Sequence, residues 1–158
     1  MSIDPNTPVF FESSCLVAAT GSASGGSMFL LSTCQRGFLT LVVSSPVLLE
    51  AQRNVLEQLG QEALDRYHRL VMMLPLRMVA ISSKRQLERF RNIVNDKDLH
   101  VVAAAVAAEA AYLLTLDRGL QKEVNQANLS VRALTPGEFI QTILPQHPHY
   151  ARIRPAGG

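Results

Sequence analysis

The sequence predicts a single α/β domain, a three-layer sandwich in which a mainly parallel five-stranded sheet lies between helices. Short apolar runs, each about the length of a buried strand, alternate along the chain with segments of helical periodicity. Strands that are separated by helices imply right-handed crossovers, and therefore a parallel sheet covered on both faces. The chain has 158 residues, of which 47% are hydrophobic, and this suffices for one domain with a substantial core.

Five short runs of largely apolar residues predict the strands. They are residues 9–12, 39–43, 77–81, 112–116 and 129–133. Most of these runs are apolar at nearly every position, which is typical of strands that are buried on both faces rather than half exposed.

The segments between these runs carry helix signals. Helices are predicted over residues 16–19, 28–37, 45–60, 61–73, 99–109 and 119–125, with a last one that begins at residue 136. Ser45 suits the N-cap of its helix, with Pro46 at the first helical position, and Asp98 suits the N-cap of the alanine-rich helix. Thr135 and Glu138 have the spacing of a capping box.

Both ends of the chain are predicted to lie outside the folded domain. We expect a loose N-terminal segment at residues 1–8, the domain at residues 9–144, and a flexible C-terminal tail at residues 145–158. The start lacks the basic and apolar pattern of a leader, and no apolar run approaches the ~20 residues that span a bilayer. A cytoplasmic protein without a membrane partner is therefore expected.

Charge and cysteine content leave the partner open. The formal charge is only +2, which does not by itself identify a nucleic-acid partner. Cys15 and Cys34 lie in apolar surroundings without the C-x-x-C spacing of a zinc or redox site, so we expect buried, unreactive thiols.

Four acidic residues fall where a parallel sheet brings distant parts of the chain together. Glu12 and Asp117 each close an apolar run, Glu50 lies one turn inside a helix, and Asp98 begins another helix. Sites in such sheets form outside the carboxyl ends of the strands. Clustered carboxylates repel one another unless a cation neutralises them, and oxygen ligands suit Mg²⁺ or Mn²⁺. The pattern therefore predicts a divalent-metal site and metal-assisted phosphodiester chemistry.

A glycine-rich loop at residues 21–27 offers a competing hypothesis. Gly21 and Gly26 have the spacing of a phosphate-binding loop, but Ser27 stands where that loop needs lysine, which disfavours a nucleotide-binding protein. The same loop lacks the central serine of a nucleophile elbow, which disfavours a serine hydrolase.

The four acids lie in four segments, residues 9–19, 42–50, 95–105 and 111–120. Together these segments resemble the motifs of the PIN domain, a metal-dependent ribonuclease fold found in many prokaryotic toxins of toxin–antitoxin pairs. The resemblance extends over about residues 9–143. It implies that Glu50, Asp98 and Asp117 are catalytic metal ligands and that Glu12 occupies the position of the family's first aspartate. It also implies RNA as the substrate, Mg²⁺ or Mn²⁺ as the cofactor, an antitoxin partner and a homodimer.

Other residues near the acids are expected to have supporting roles. The resemblance implies that Ser14 and Thr115 are polar supports. The basic residues Arg118, beside Asp117, and Arg53, one turn beyond Glu50, are expected near the cleft, and Arg118 is the one we predict to contact RNA phosphates. One departure matters, because Glu12 is a methylene longer than aspartate and moves its carboxylate by roughly an ångström, a displacement to which catalysis is sensitive. Two functions therefore stay open: a metal-dependent endoribonuclease, and a catalytically impaired PIN-fold module that binds RNA or protein.

Overall fold

The computed structural model describes residues 3–80 and 83–154, and its strands form one parallel sheet. The strands are β1 (Pro8–Phe11), β2 (Thr40–Ser44), β3 (Arg77–Val79), β4 (Tyr112–Leu114) and β5 (Arg132–Leu134). All neighbouring strands pair in parallel, in the order β3-β2-β1-β4-β5. The predicted α/β fold is confirmed. Ile81, predicted to end the third strand, lies outside the described residues.

Helices connect these strands. They are α1 (Ser13–Gly21), α2 (Gly26–Gln35), α3 (Ser45–Leu59), α4 (Gln61–Met73), α5 (Lys84–Glu88), α6 (Leu99–Ala107), α7 (Arg118–Gln126), α8 (Pro136–Glu138) and α9 (Tyr150–Ile153). Short turns of other helix types cover Asp96–Asp98, Phe139–Ile143 and Leu144–Gln146. No single helix in the described part of the chain is long and apolar enough to cross a membrane, although α1 and α2 together, bent by 100°, reach that length.

The strand order places a crevice beside the central strand β1. From β1 the chain builds β2 and β3 on one side, and then returns to build β4 and β5 on the other. In parallel sheets, binding sites form at this point of reversal, outside the carboxyl ends of the strands. Glu12 directly follows β1 and Thr115 directly follows β4, so both lie at the crevice.

Large side chains of the central strands fill the core of the domain. Phe10 and Phe11 of β1 are fully buried, and Tyr112 of β4 packs edge-on against Phe139 with ring centroids 5.3 Å apart. Each fully buried side chain of this size stabilises the fold by about 1.5–3 kcal/mol. Cys15 and Cys34 are buried and free as predicted, and burial raises the pKa of the Cys34 thiol to about 12.

Helix caps differ in part from the predicted ones. Ser44, and not Ser45, caps α3, because the helix already begins at Ser45. Asp98 stands at the N-cap position of α6, but its side chain makes no capping hydrogen bond. The predicted capping box of Thr135 and Glu138 is confirmed, with both reciprocal hydrogen bonds formed.

Described residues near both ends pack on the domain, within segments that the sequence predicts to be loose. Ile3 is buried near the N-terminus, and His147 and Ile153 are buried near the C-terminus. The ring Nε2 of His147 donates to the carbonyl oxygen of Phe38 at 2.7 Å, which ties the C-terminal segment to the loop before β2. Buried apolar side chains and this hydrogen bond explain the difference. The domain limits at residues 9 and 144 stay a prediction, and residues 1–2 and 155–158 lie outside the described part.

Candidate active site

An open cleft of about 620 Å³ lies outside the carboxyl ends of β1 and β4, and all four predicted acids line it. Glu12 comes from the end of β1, Glu50 from the second turn of α3, Asp98 from the start of α6, and Asp117 from the start of α7. The fold therefore gathers residues that are up to about a hundred positions apart, as the position of the acids in a parallel sheet predicts.

Three hydroxyl groups hold the carboxylate of Glu12, which is only 6% exposed. Ser14 Oγ donates to Glu12 Oε1 at 2.5 Å, and Thr115 Oγ1 donates to the same oxygen at 2.8 Å. Ser13 Oγ donates to Glu12 Oε2 at 2.6 Å. We call these three side chains the hydroxyl clamp. It includes both predicted polar supports, Ser14 and Thr115.

Backbone groups orient two members of the clamp. Leu116 N–H donates to Ser14 Oγ at 2.9 Å, and Asp117 N–H donates to Thr115 Oγ1 at 3.0 Å. Each hydroxyl therefore accepts from the chain after β4 and directs its own hydrogen toward Glu12. The chain that carries Asp117 is thereby fixed relative to Glu12.

Ser13 also joins Glu12 to Glu50. Its Oγ lies 2.5 Å from Glu50 Oε1 in addition to its contact with Glu12. A hydroxyl group has one hydrogen, so it can donate to one of these carboxylates at a time. One of the two contacts between Ser13 and these carboxylates therefore lacks a hydrogen. A proton on one carboxylate, or a cation beside it, would compensate for the missing hydrogen. Sequence reasoning missed Ser13, although a serine between a strand-ending acid and a helix was a usable signal.

Glu50 has a second neighbour on α6. His100 Nε2 lies 3.6 Å from Glu50 Oε2, and the ring Nδ1 is buried without a hydrogen-bond partner among the described residues. Because a ring N–H or an imidazolium is attracted to a carboxylate, His100 favours this position of the second oxygen of Glu50. Sequence reasoning missed this contact of His100 with Glu50.

The other two acids share one lysine. Lys97 Nζ lies 3.9 Å from Asp98 Oδ2 and 3.6 Å from Asp117 Oδ2. Burial, followed by the charges of Asp117 and Glu12, raises the pKa of Asp98, and the charge of Lys97 opposes this shift. Asp98 and Asp117 in turn raise the pKa of Lys97. Asp117 also caps α7, with Oδ1 accepting from Leu120 N–H at 3.1 Å. Sequence reasoning missed Lys97.

The donor chemistry fits a hard divalent cation. The side chains offer carboxylate oxygens, which are ligands that such ions prefer. Burial, followed by the charges of Asp117 and Glu12, raises the pKa of Asp98 and so disfavours its charged form. The single hydrogen of the Ser13 hydroxyl cannot serve both Glu12 and Glu50. However, within residues 3–80 and 83–154 no three acidic, histidine or cysteine side chains are already grouped to hold an ion. Hydroxyl groups and Lys97 contact the carboxylates instead.

The two basic residues predicted near the cleft differ in position. Arg118, predicted to contact substrate, bonds to residues outside the cleft: its Nη1 donates to Gln121 Oε1 at 3.0 Å and lies 3.4 Å from Glu138 Oε1. Its side chain is 70% exposed and is not among the residues that line the cleft, whereas Arg53 and Lys97 are. The structure therefore brings the four acids together but leaves Arg118 at the rim.

The glycine-rich loop does not have the setting of a phosphate-binding loop. Its residues 22–25 join α1 to α2, whereas a phosphate-binding loop joins a strand to a helix. This context removes the support that the spacing of Gly21 and Gly26 gave to nucleotide binding.

Comparison with protein families identifies one domain in the chain. A family model described as PIN domain matches residues 8–119, which include all four acids of the cleft. No curated protein sequence matches the chain significantly.

Several solved structures share the fold. The VapBC2 structure from Rickettsia felis, bound to a DNA fragment from their promoter, has a TM-score of 0.62 at 18% identity, covering 80% of this chain and 98% of that one. PAE2754 from Pyrobaculum aerophilum has a TM-score of 0.63 at 12% identity, covering 88% and 96%. VapC20 from Mycobacterium tuberculosis, a Sarcin-Ricin loop cleaving toxin, has a TM-score of 0.53 at 14% identity, covering 78% and 98%. At these identities the likeness shows the fold alone.

Proposed function

The chain belongs to the PIN-domain family, and from that premise we propose that it is a metal-dependent endoribonuclease. The observation that carries the proposal is the gathering of Glu12, Glu50, Asp98 and Asp117 in one open cleft at the carboxyl ends of β1 and β4. These four side chains would hold Mg²⁺ or Mn²⁺. When bound, the metal supplies a water of lowered pKa and stabilises the charge that develops on the scissile phosphate.

Glu12 keeps a free position for a cation despite the hydroxyl clamp. A carboxylate has about four lone-pair sites, two on each oxygen. Ser14 and Thr115 use both sites on Oε1, and Ser13 uses one on Oε2. One site on Oε2 remains, so the longer side chain can act as a ligand while the clamp fixes its position.

RNA is the proposed substrate because basic side chains, side-chain amides and an exposed apolar side chain all line the cleft. Arg53 and Lys97 would contact phosphates, and Arg118 would do so at the rim. Asn54 and Gln58 line the wall formed by α3 and can hydrogen-bond to bases or ribose, while Leu116 exposes 46% of its surface for an unstacked base. The similar fold of VapC20, a toxin that cleaves the Sarcin-Ricin loop, supports this choice.

A role as the toxin of a toxin–antitoxin pair in the cytoplasm completes the proposal. The fold shared with VapBC2, which was solved on a fragment of its promoter, supports an antitoxin partner. A homodimer is also proposed, because Met72, Met73 and Met78 expose 85%, 66% and 47% of their surfaces. A small neighbouring gene with a DNA-binding N-terminus would support the pair, and co-purification of its product with this chain would test it.

Cleavage of single-stranded and structured RNA with Mn²⁺ tests the enzymatic proposal. Asp98→Asn and Asp117→Asn should each lower the rate by about 100-fold or more, since even partners of metal ligands contribute 10- to 100-fold. Glu57→Gln is the matched control, because Glu57 is an exposed carboxylate on α3 outside the cleft. Cleavage that survives both aspartate substitutions would overturn the proposed site.

A binding module is the second candidate function. It is favoured by the engagement of both Glu12 oxygens and by the pairing of Asp98 and Asp117 with Lys97. This alternative predicts that the protein binds RNA or a protein partner but cleaves no RNA with Mg²⁺, Mn²⁺ or any other divalent metal. The same cleavage assay, combined with an RNA-binding titration, separates the two functions.

A further inference from the structure

We propose that Lys97 is a built-in counter-ion that competes with the divalent cation for Asp98 and Asp117. The inference rests on the proposed metal-dependent function and adds a control on that site. Its basis is the place of the lysine ammonium, which lies within 4 Å of one carboxylate oxygen on each acid.

Exposure makes this contact exchangeable. The side chain of Lys97 is 68% exposed, whereas that of Asp98 is 12% exposed and that of Asp117 is 39% exposed. Ion pairs that involve such an exposed partner are weak, because water and salt screen them. A divalent cation carries twice the charge of an ammonium group and can therefore take its place. Lys97 adjoins Asp98 in sequence, so after displacement it remains in the cleft, where a substrate phosphate can receive it.

The arrangement of the acids agrees with a site in which Lys97 occupies oxygens that a metal ion would need. Within the described residues the acids are not grouped to hold an ion, while Lys97 spans two of them. The ammonium group lowers the repulsion between Asp98 and Asp117 at the cost of one oxygen on each. Release of Lys97 would return both oxygens to a metal.

Arg53 provides the comparison that isolates this role. It lines the same cleft and carries the same charge, but in the part of the chain that the structure describes it forms no ion pair with the four acids. A general effect of positive charge on metal affinity would act through both residues. Direct competition acts through Lys97 alone.

Calorimetric titration of Mn²⁺ into the full chain tests the inference. Lys97→Met, which keeps the apolar stem and removes the charge, should bind Mn²⁺ about three- to tenfold more tightly, in line with the strength of exposed pairs. Arg53→Met should change the affinity by less than about twofold, and Lys97→Arg should not tighten binding. Equal affinities of the wild type, Lys97→Met and Arg53→Met would overturn the inference and leave the proposed function intact.

Thermal unfolding gives a second readout that does not depend on activity. In EDTA, Lys97→Met should lower the Tm by about 1–3 °C, because Asp98 and Asp117 lose their counter-ion. In saturating Mn²⁺ this difference should vanish, because the lysine is no longer paired. An equal loss in EDTA and in Mn²⁺ would contradict competition.

The outcomes separate the inference from the proposed function. If neither the wild type nor Lys97→Met binds Mn²⁺, the metal site and the inference both fail. If only Lys97→Met binds Mn²⁺, competition is supported and the wild-type chain is closed to metal, which speaks for the binding module.

Discussion

The two halves of the cleft hold their acids in opposite ways. In one half, the hydroxyl clamp of Ser13, Ser14 and Thr115 surrounds Glu12 with neutral donors. In the other half, Asp98 and Asp117 face the exposed ammonium of Lys97. Neutral hydrogen bonds inside a buried cluster fix a carboxylate in place, whereas a charge on a flexible stem can leave.

This difference separates a structural part of the site from an adaptable part. The clamp links β1 to the chain after β4 and makes the position of Glu12 a consequence of the fold. The lysine pair is a local contact that a cation or a phosphate can exchange. Substitutions in the first half should therefore change the stability of the fold, and those in the second half should respond to metal.

The largest effect on stability is expected from Thr115→Val. Thr115 is fully buried, and valine would leave Glu12 Oε1 and Asp117 N–H without their shared hydroxyl partner. The free energy of unfolding should fall by about 2–3 kcal/mol, the cost of unsatisfied buried groups. Thr33→Val is the control, since among the described residues the buried Thr33 hydroxyl bonds only to the carbonyl of Phe29 in its own helix. Equal losses in chemical denaturation would mean that the clamp has no special role.

Replacement of Glu12 by the family's aspartate tests the clamp by changing the acceptor of its hydrogen bonds. Glu12→Asp shortens the side chain by one methylene, so its carboxylate cannot reach Ser14 and Thr115 as it does now. We expect a loss of about 1–2 kcal/mol in stability and no gain in RNA cleavage. A tenfold rise in the cleavage rate would show that the hydroxyl clamp does not hold Glu12 in a position suited to catalysis.

In the adaptable half, Asp98→Asn is predicted to increase stability, whereas the two substitutions above decrease it. Burial and the charges of Asp117 and Glu12 raise the pKa of Asp98, so the folded protein disfavours its charged form at neutral pH. Removal of that charge should raise the Tm in EDTA by about 1–3 °C. With Mn²⁺ the wild type should gain stability and the variant should not. A lower Tm of the variant in EDTA would show that the repulsion between these acids is unimportant.

The smallest effect is expected at Glu138, a carboxylate outside the cleft whose pKa shifts in the opposite direction. The hydrogen bond from the backbone N–H of Thr135, followed by that from Gln121, lowers the pKa of Glu138 from 4.5 to about 2. A lowered pKa contributes stability above pH 4.5 that is lost as the pH falls toward about 2. Since the side chain is 39% exposed, Glu138→Gln should cost less than about 1 kcal/mol at pH 7.

Thermal unfolding at pH 7 and pH 3.5 checks this sign. The difference in Tm between the wild type and Glu138→Gln should be smaller at the lower pH. Glu62→Gln, at the start of α4 without a capping box, is the comparison variant. A difference in Tm that increases on acidification would contradict a lowered pKa of Glu138.

Sequence patterns predicted the parts of this molecule that depend on local periodicity. The five strands, the capping box at Thr135 and the approach of the four acids all follow from strand and helix periods. The edge strand β3 departs from the buried pattern, because Arg77 and Met78 are exposed. Lys97 and Ser13 were missed because their roles depend on which oxygen lies within 4 Å, and a pattern carries no such distance. The packing of Ile153 was missed because proline- and histidine-rich ends usually extend into solvent.

Paramagnetic broadening of backbone amide signals by Mn²⁺ tests most directly whether the four carboxylates hold the metal. As Mn²⁺ is added in substoichiometric amounts, the amide signals of Ser13, Ser14, Leu116 and Asp117 should broaden first, because these residues line the cleft. The same titration of Asp98→Asn should require more Mn²⁺ for the same effect. Broadening that begins elsewhere, or is uniform over the chain, would contradict the proposed metal site.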